Sequence, residues 1–303
     1  MSLATTKAIA LSGLNGELVT VEVDIADGLP GFNLLGLPDA ALSESRDRVR
    51  AAIVNSSQSW PNRKVTIALL PAWLPKAGSS FDLPIAIGIL GAQNIVRNLE
   101  DYLFVGELSL DGSLRHTRGV LPSLICAYRN GVRKVVIPSA NIAEAKLLPE
   151  LEVFAFTNLK EVVHWLQTGE LTEQSELDLV VEKIEMQLDF ADVAGQLPAR
   201  RAAEISAAGG HNFLMIGPPG VGKTMIAERM PTILPPLTQE ETLEVSAIHS
   251  ITNSNRAVLS TTAPFIAPHH STTRIAMVGG GAHVIKPGVC SLAHRGVLFV
   301  DEA

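Results

Sequence analysis

The sequence predicts an α/β protein of two domains, and three observations predict it. Its 303 residues supply about two domains at roughly 100–200 residues each. Short apolar, strand-like runs alternate with helix-like segments through the first half. In the second half, FLMIGPPGVGKTMIAERM carries an apolar run through a glycine-rich loop into a helical pattern, the strand–loop–helix order of a parallel α/β sheet.

Hydrophobic residues make up 47% and charged residues 18% of the chain, against a typical charged share of about 25%, so the composition is that of packed domains and not of a solvated tail. The net charge of -7 argues against a wholesale electrostatic grip on nucleic acid and leaves room only for a local basic surface. No apolar run reaches the roughly 18 residues that span a bilayer, and residues 1–16 lack the apolar stretch of a secretory signal. The expectation is a cytoplasmic protein with no membrane contact. Cys126 and Cys290 lie far apart with no CxxC partner, which points to two buried thiols and away from a disulfide framework or a cysteine zinc site.

Charge also places the domain boundary. Residues 1–167 carry 15 basic and 16 acidic side chains and residues 184–303 carry 8 and 10, whereas 168–183 hold five acidic groups and one Lys. The expected organisation is therefore a first domain over 1–167, an acidic connector over 168–183 and a second domain over 184–303.

In the first domain Val19, Val21, Val23 and Ile25 alternate with Thr20, Glu22 and Asp24, the period of a half-buried strand. A helix follows over 38–55, then a strand at VTIALL. GELSLDGSLRH holds Asp111-Gly112 between alternating residues, a two-residue hairpin signal. Next come a helix over 122–130 closed by Gly131, the strand KVVIP, a helix over 140–147, the strand VFAF and a helix over 158–167. This is a mixed α/β or α+β domain. The second opens with a helix over 200–208 closed by Gly209-Gly210, then the strand FLMIG; Thr238 and Glu241 read as a capping box before a helix over 238–248. GVLFV has no polar alternation and suits a central parallel strand.

Gly217, Pro218, Pro219, Gly220, Val221, Gly222, Lys223 and Thr224 fit G-x-x-x-x-G-K-[ST]. Glycines let backbone N–H groups turn inward around phosphate oxygens, the following helix adds a partial positive charge, Lys223 reaches the β- and γ-phosphates, and the Thr224 hydroxyl ligates Mg²⁺. GVLFVDE supplies the other half: a buried strand delivers Asp301 and Glu302 to its carboxyl edge. An apolar run ending in Asp-Glu is common by itself, and it gains meaning from the loop in the same domain. Asp301 would hold Mg²⁺ through water, and Glu302 would polarise the attacking water. Lys223 and Glu302 are thus the expected catalytic pair, with ATP and Mg²⁺ as cofactors.

The stretch from DFADVAGQLPARR through GPPGVGKT to VSAIHS, with PFIAPHHSTTRIAMVGGG and GVCSLAHRGVLFVDE, resembles the AAA+ module of the magnesium-chelatase-like proteins of the ComM/YifB group. The resemblance covers essentially the whole chain. It implies a ring motor, hexameric at full length, that uses ATP to move DNA branches during natural transformation. It also implies that Gly195-Gln196 lies in the base-binding segment, and it makes the fold an N-terminal α+β domain like the proteolytic domain of Lon followed by a partial P-loop AAA+ domain.

Within the first domain PKAGSSFDLPIAIGIL resembles Lon's serine region, with Ser80 at the nucleophile's position. Leu121 stands where Lon has its Lys, so the dyad is broken, since a serine hydroxyl needs a base. Ser79, Ser80 and Asp82 are then read as helix N-terminal caps. Five of the eight His fall between His249 and His294, but adjacent His269 and His270 should face different ways, and no zinc spacing is present; with His283 and His294 they are left for partner-subunit or DNA contacts. Gly279 to Gly281 reads as a hairpin tip. The family's sensor strand, arginine finger and lid follow the acidic pair, and here the expectation is a module cut after Asp301-Glu302, with FLMI left as an unpaired edge between the missing sensor strand and the Walker B strand, and with negligible ATP turnover. Two alternatives stand beside the motor: a non-catalytic nucleotide-binding or regulatory module, and an ATP-dependent serine protease, which would need a Lys near position 121.

Overall fold

The alternating valines build the centre of a seven-stranded sheet. β1 (Ser2–Ser12) and β2 (Asn15–Ala26) pair antiparallel along their full length, from Ser2 opposite Ile25 to Ser12 opposite Asn15. Val19, Val21, Val23 and Ile25 are buried while Thr20, Glu22 and Asp24 are half-buried, as the two-residue period requires. The structure is a computed structural model that describes residues 2–171, 188–252, 261–281 and 286–301. The chain divides into two compact units, Met1–Asp178 and Leu179–Ala303.

In the first unit the further strands are β3 (Gly31–Leu35), β4 (Lys64–Leu70), β5 (Tyr102–Phe104), the short pair β6 (Glu107–Leu108) and β7 (Leu114–Arg115), β8 (Lys134–Pro138) and β9 (Glu152–Phe156). The large sheet runs β3-β4-β2-β1-β5-β8-β9. β2 pairs antiparallel with β1 and β4, whereas β3 with β4 and the succession β1, β5, β8, β9 are parallel. The helices are α1 (Ala40–Ser43), α2 (Ser45–Asn55), α3 (Asp82–Ala92), α4 (Val120–Arg129), α5 (Ile142–Ala145) and α6 (Leu159–Thr168). Nearly every residue of α3 is buried, because it lies against β1 and β2 on one side and α2 on another. Gly88 makes that approach possible: a Cβ there would stand 2.7 Å from a Val23 methyl.

Three local expectations change. The helix expected over 38–55 starts at Ala40, because Pro38 bridges to Lys76, and breaks at Glu44, whose N–H is shared between the carbonyls of Ala40 and Leu42. The Asp111-Gly112 hairpin has three loop residues and not two: Ser109 N–H donates to Ser113 O (2.9 Å) and Gly112 N–H to Ser109 O (2.9 Å), with Gly112 at φ +86°. That is a turn with a glycine bulge, which places Leu110 in the loop. The helix expected over 140–147 shrinks to a 3₁₀ turn and α5, because the Asn141 amide is tied at both ends to the Thr117 backbone, at 2.9 Å each.

The second unit contains α7 (Leu197–Gly209), α8 (Lys223–Arg229), α9 (Gln239–Ile251), β10 (Phe265–Ile266), α10 (Arg274–Val278), β11 (Gly279–Gly280), β12 (Lys286–Pro287), α11 (Val289–Leu292) and β13 (Val297–Leu298). Gly210 closes α7 in the left-handed conformation, and Thr238 and Glu241 form the full capping box of α9. Phe190, Val193, Ala203, Ala207, Ile226 and Met230 make its core, with Phe213 and Met215 packed onto it.

FLMI is extended in its burial, with Phe213 and Met215 inward and Leu214 and Ile216 79% and 90% exposed, but it is not a strand: among the described residues it has no ladder partner. GVLFV is not the buried central strand expected. Only Val297–Leu298 pair, in parallel with Phe265–Ile266, and both are half-buried. β13 therefore sits beside β10 and not beside FLMI, which corrects the expected order of neighbours. Cys126 is buried as expected but Cys290 is exposed, since α11 buries no residue. Gly279 and Gly280 pair antiparallel with Pro287 and Lys286, so they lie in a ladder and not at the tip expected, and His283 lies outside the described residues. The acidic connector lies outside them from residue 172 onward, and Thr168 ends α6 under a left-handed Gly169. Among the described residues no helix is long and apolar enough to cross a membrane.

Candidate functional site

The loop 217–224 leaves Phe213 and Met215 in the core and turns over two glycines with positive φ, Gly220 at +81° and Gly222 at +90°. A side chain disfavours both conformations, so the loop needs glycine there. Gly217, Pro218, Pro219, Gly220 and Val221 are exposed, with Gly222 and Lys223 half-buried. Lys223 opens α8, and its ammonium folds back to donate to the carbonyls of Gly217 (2.8 Å) and Pro218 (3.1 Å). Gln196, itself left-handed at φ +50°, donates its amide to Val221 O at 3.0 Å and ties the start of α7 to the loop.

Thr224 and Asp301 line one cavity of about 260 Å³. Asp301 reaches it because β10 and β13 are parallel: Phe299 N–H extends the ladder to Ile266 O (2.9 Å), so the residues after both strands emerge at the same carboxyl edge. α8 brings Thr224 to that edge. Gly217, Pro218, Pro219, Gly220, Val221, Gly222 and Lys223 are outside the cavity wall, and Glu302 lies outside the described residues. Glu228 also lines the cavity and was missed in the sequence; four residues after Thr224, it shares that residue's helix face. Phe265 and Phe299, stacked 6.3 Å apart, form its apolar side.

The adjacent histidines do not face different ways. His269 and His270 both line this cavity with ring centroids 4.0 Å apart. The chain turns there, Thr272 N–H donating to His269 O (2.8 Å), and a turn brings neighbouring side chains to one side where a strand would separate them. Two other histidines hold the unit together. His249, whose pKa burial lowers, contacts Leu292 O at 3.2 Å, and His294 contacts Glu244 at 3.2 Å beside Arg295, which also reaches Glu241. Among the described residues no group of three or more His, Cys, Asp or Glu is arranged to hold a metal ion.

The serine region of the first unit is built differently from its sequence reading. Neither Ser79, Ser80 nor Asp82 caps a helix with its side chain. Ser79 Oγ donates to Glu107, and Ser80 O accepts from Gly106 N–H at 3.1 Å. Asp82 is fully buried and accepts two hydrogen bonds from Arg48, Nε at 2.9 Å and Nη2 at 3.0 Å. Burial pushes its carboxyl up to about 6 against the pull of Arg48 and of the Leu108 N–H. The carboxylate thus closes α2 onto α3 and the base of the β6–β7 hairpin. Leu121, at the expected lysine position, is fully buried, and its N–H donates to Glu144 at 2.9 Å. Lys76 is buried too, its ammonium donating to Leu69 O at 2.9 Å and to Pro71 O, and burial lowers its pKa. No periodicity in the sequence marks Arg48 or Lys76, since their partners are backbone or distant in the chain.

Two family profiles match: magnesium chelatase, subunit ChlI, over residues 189–303, and subunit ChlI of Mg-chelatase over 21–141. An uncharacterised protein of Mycobacterium tuberculosis is 48% identical over the whole chain, which covers 61% of that relative. The uncharacterised protein YifB of Escherichia coli is 44% identical and the competence protein ComM of Haemophilus influenzae 41%, each over the whole chain and 60% of its own length. The chain thus spans about three fifths of the length of the curated relatives it matches. Part of it, 51%, is also similar to the Lon protease of Mycolicibacterium smegmatis, at 25% identity.

Proposed function

We propose that this chain, which matches the two magnesium-chelatase profiles and is similar to ComM and YifB, is a nucleotide-driven AAA+ protein that binds Mg·ATP at 217–224 and, assembled as a ring of copies, moves DNA branches. The observation that carries the nucleotide reading is the shared cavity of Thr224 and Asp301. A hydroxyl and a carboxylate lining one cavity next to a glycine loop are the ligand types that would hold a hydrated Mg²⁺ with a nucleotide's phosphates. Bound Mg²⁺ would neutralise charge on those phosphates.

The chain's own groups do the rest. Backbone N–H groups of the loop cradle phosphate oxygens, with glycine at 220 and 222 permitting the turn. Lys223 exchanges its two carbonyl acceptors for phosphate oxygens, which bind an ammonium more strongly because both partners are charged. Gln196 fixes the segment before α7 against the loop, where the base would pack. Glu302 is assigned the polarising of the attacking water. The DNA part of the reading rests on the resemblance to the ComM/YifB group, of which the 41% identical competence protein ComM is one member.

Fluorescent ATP analogue binding tests the first part: the protein should bind it with Mg²⁺ and Lys223→Ala should lose it, while equal binding by both would place the nucleotide elsewhere. Gel shifts with a four-way junction and a linear duplex, with a non-hydrolysable ATP analogue present, test the second. Preference for the junction is expected, and equal affinity for the two DNAs would overturn it.

A further inference from the structure

The cavity that Thr224 and Asp301 line has a chemistry that the nucleotide reading leaves unused. Three of its polar side chains, Thr224, Glu228 and Asp301, are a hydroxyl and two carboxylates. The carboxylates repel a phosphate unless a cation stands between, and they offer no donor when ionised. His269 and His270 supply the only N–H donors among the side chains of that wall.

Ser271 fixes the orientation of His269. Its N–H points to Nδ1 at 3.3 Å and its hydroxyl lies 2.7 Å from the same nitrogen. A nitrogen that accepts from an N–H carries a lone pair, so the neutral ring holds its proton on Nε2. The His270 ring lies against it, with centroids 4.0 Å apart and planes tilted by 36°. The result is an N–H donor held in place by a backbone turn, on the wall of the cavity that also holds both residues assigned to Mg²⁺.

We propose that His269, positioned by Ser271 and His270, binds the terminal phosphate of a bound nucleoside triphosphate and gives this site its discrimination between tri- and diphosphate. The inference rests on the Mg·ATP reading above, because Thr224 and Asp301, the residues that would hold Mg²⁺ with the terminal phosphate, line the same cavity as His269. A diphosphate leaves the Nε2–H without its anionic acceptor. The loop and Lys223 serve both nucleotides; His269 serves only the longer one.

The test compares the affinities of a non-hydrolysable ATP analogue and of ADP, each with Mg²⁺, for wild type, His269→Ala, His269→Gln and Ser271→Ala. A hydrogen bond to a charged acceptor corresponds to roughly tenfold or more in affinity. His269→Ala should therefore weaken the triphosphate analogue by about tenfold or more and leave ADP unchanged, with unchanged ADP binding showing that the unit is folded. His269→Gln, which keeps an N–H donor, should recover part of the loss, and Ser271→Ala should lose part of the preference. An unaltered preference in His269→Ala overturns the proposal, as does an equal loss for both nucleotides, which would mark a structural role. Wild-type protein that binds neither nucleotide, or a Lys223→Ala variant that binds both normally, would overturn the Mg·ATP reading itself.

Discussion

Replacing Arg48 by Met should unlock the first unit in a pH-dependent way. The substitution keeps an unbranched apolar side chain and removes the guanidinium that donates twice to Asp82, at 2.9 and 3.0 Å. Breaking a buried pair by removing one partner costs about 3–5 kcal/mol. The Arg48 side chain is 23% exposed, which favours the lower end, about 3 kcal/mol at pH 8. The sign of the pH dependence follows from Asp82, whose carboxyl is raised from 3.8 to about 6. A raised carboxyl contributes stability that is fully present below 3.8 and is lost as pH rises through 6, about 3 kcal/mol in all. Without Arg48 the carboxyl rises further, so the loss moves to higher pH and the protonated form is spared much of the penalty. Trp60, Trp73 and Trp165 are the only tryptophans and all lie in the first unit, so urea unfolding followed by tryptophan fluorescence reports on that unit alone. The variant should lose about 3 kcal/mol at pH 8 and clearly less at pH 5. A loss below about 1 kcal/mol at pH 8, the size typical of an exposed ion pair, would refute the buried clamp, as would an equal loss at both values.

Two further outcomes follow from the same geometry. Thr238→Ala removes the hydroxyl that accepts from Glu241 N–H in the capping box of α9, keeps the Thr238 N–H bond to the Glu241 carboxylate, and should destabilise the second unit by about 1 kcal/mol, read from thermal melting by far-UV circular dichroism; an unchanged melt would mean that the hydroxyl adds nothing. Ser80→Ala should leave casein untouched to the same degree as wild type, with or without ATP, because the position of the needed base holds the buried Leu121; cleavage that disappears in the variant would contradict this.

The parts of the fold legible in the sequence are those that local chemistry specifies. Alternation at 19–25 gave the strand and its buried face, and the capping signals Thr238 and Glu241 gave the start of α9. The P-loop pattern singles out Thr224 and the run GVLFVDE singles out Asp301, and the fold brings both to one cavity. What stayed illegible depends on distant partners. Asp82 looks like a cap because it opens α3, yet its partner Arg48 comes from 34 residues earlier. Adjacent side chains such as those of His269 and His270 point apart on an extended backbone, whereas the turn to Thr272 brings these two to one cavity. FLMI has the apolar content of a strand, but strand identity requires neighbours, and the described residues set none beside it.

The central claim is that Thr224 and Asp301 form the two ends of one Mg²⁺ site beside the phosphate loop, and calorimetric titration of ATP with and without Mg²⁺ tests it most directly. Wild type should bind ATP about tenfold or more tightly with Mg²⁺ than without. A Thr224→Val, Asp301→Asn double variant should lose that Mg²⁺-dependent increment and retain the weaker, metal-free binding, and Lys223→Ala should lose both. An ATP affinity in wild type that Mg²⁺ leaves unchanged, or an increment that survives intact in the double variant, would contradict the account.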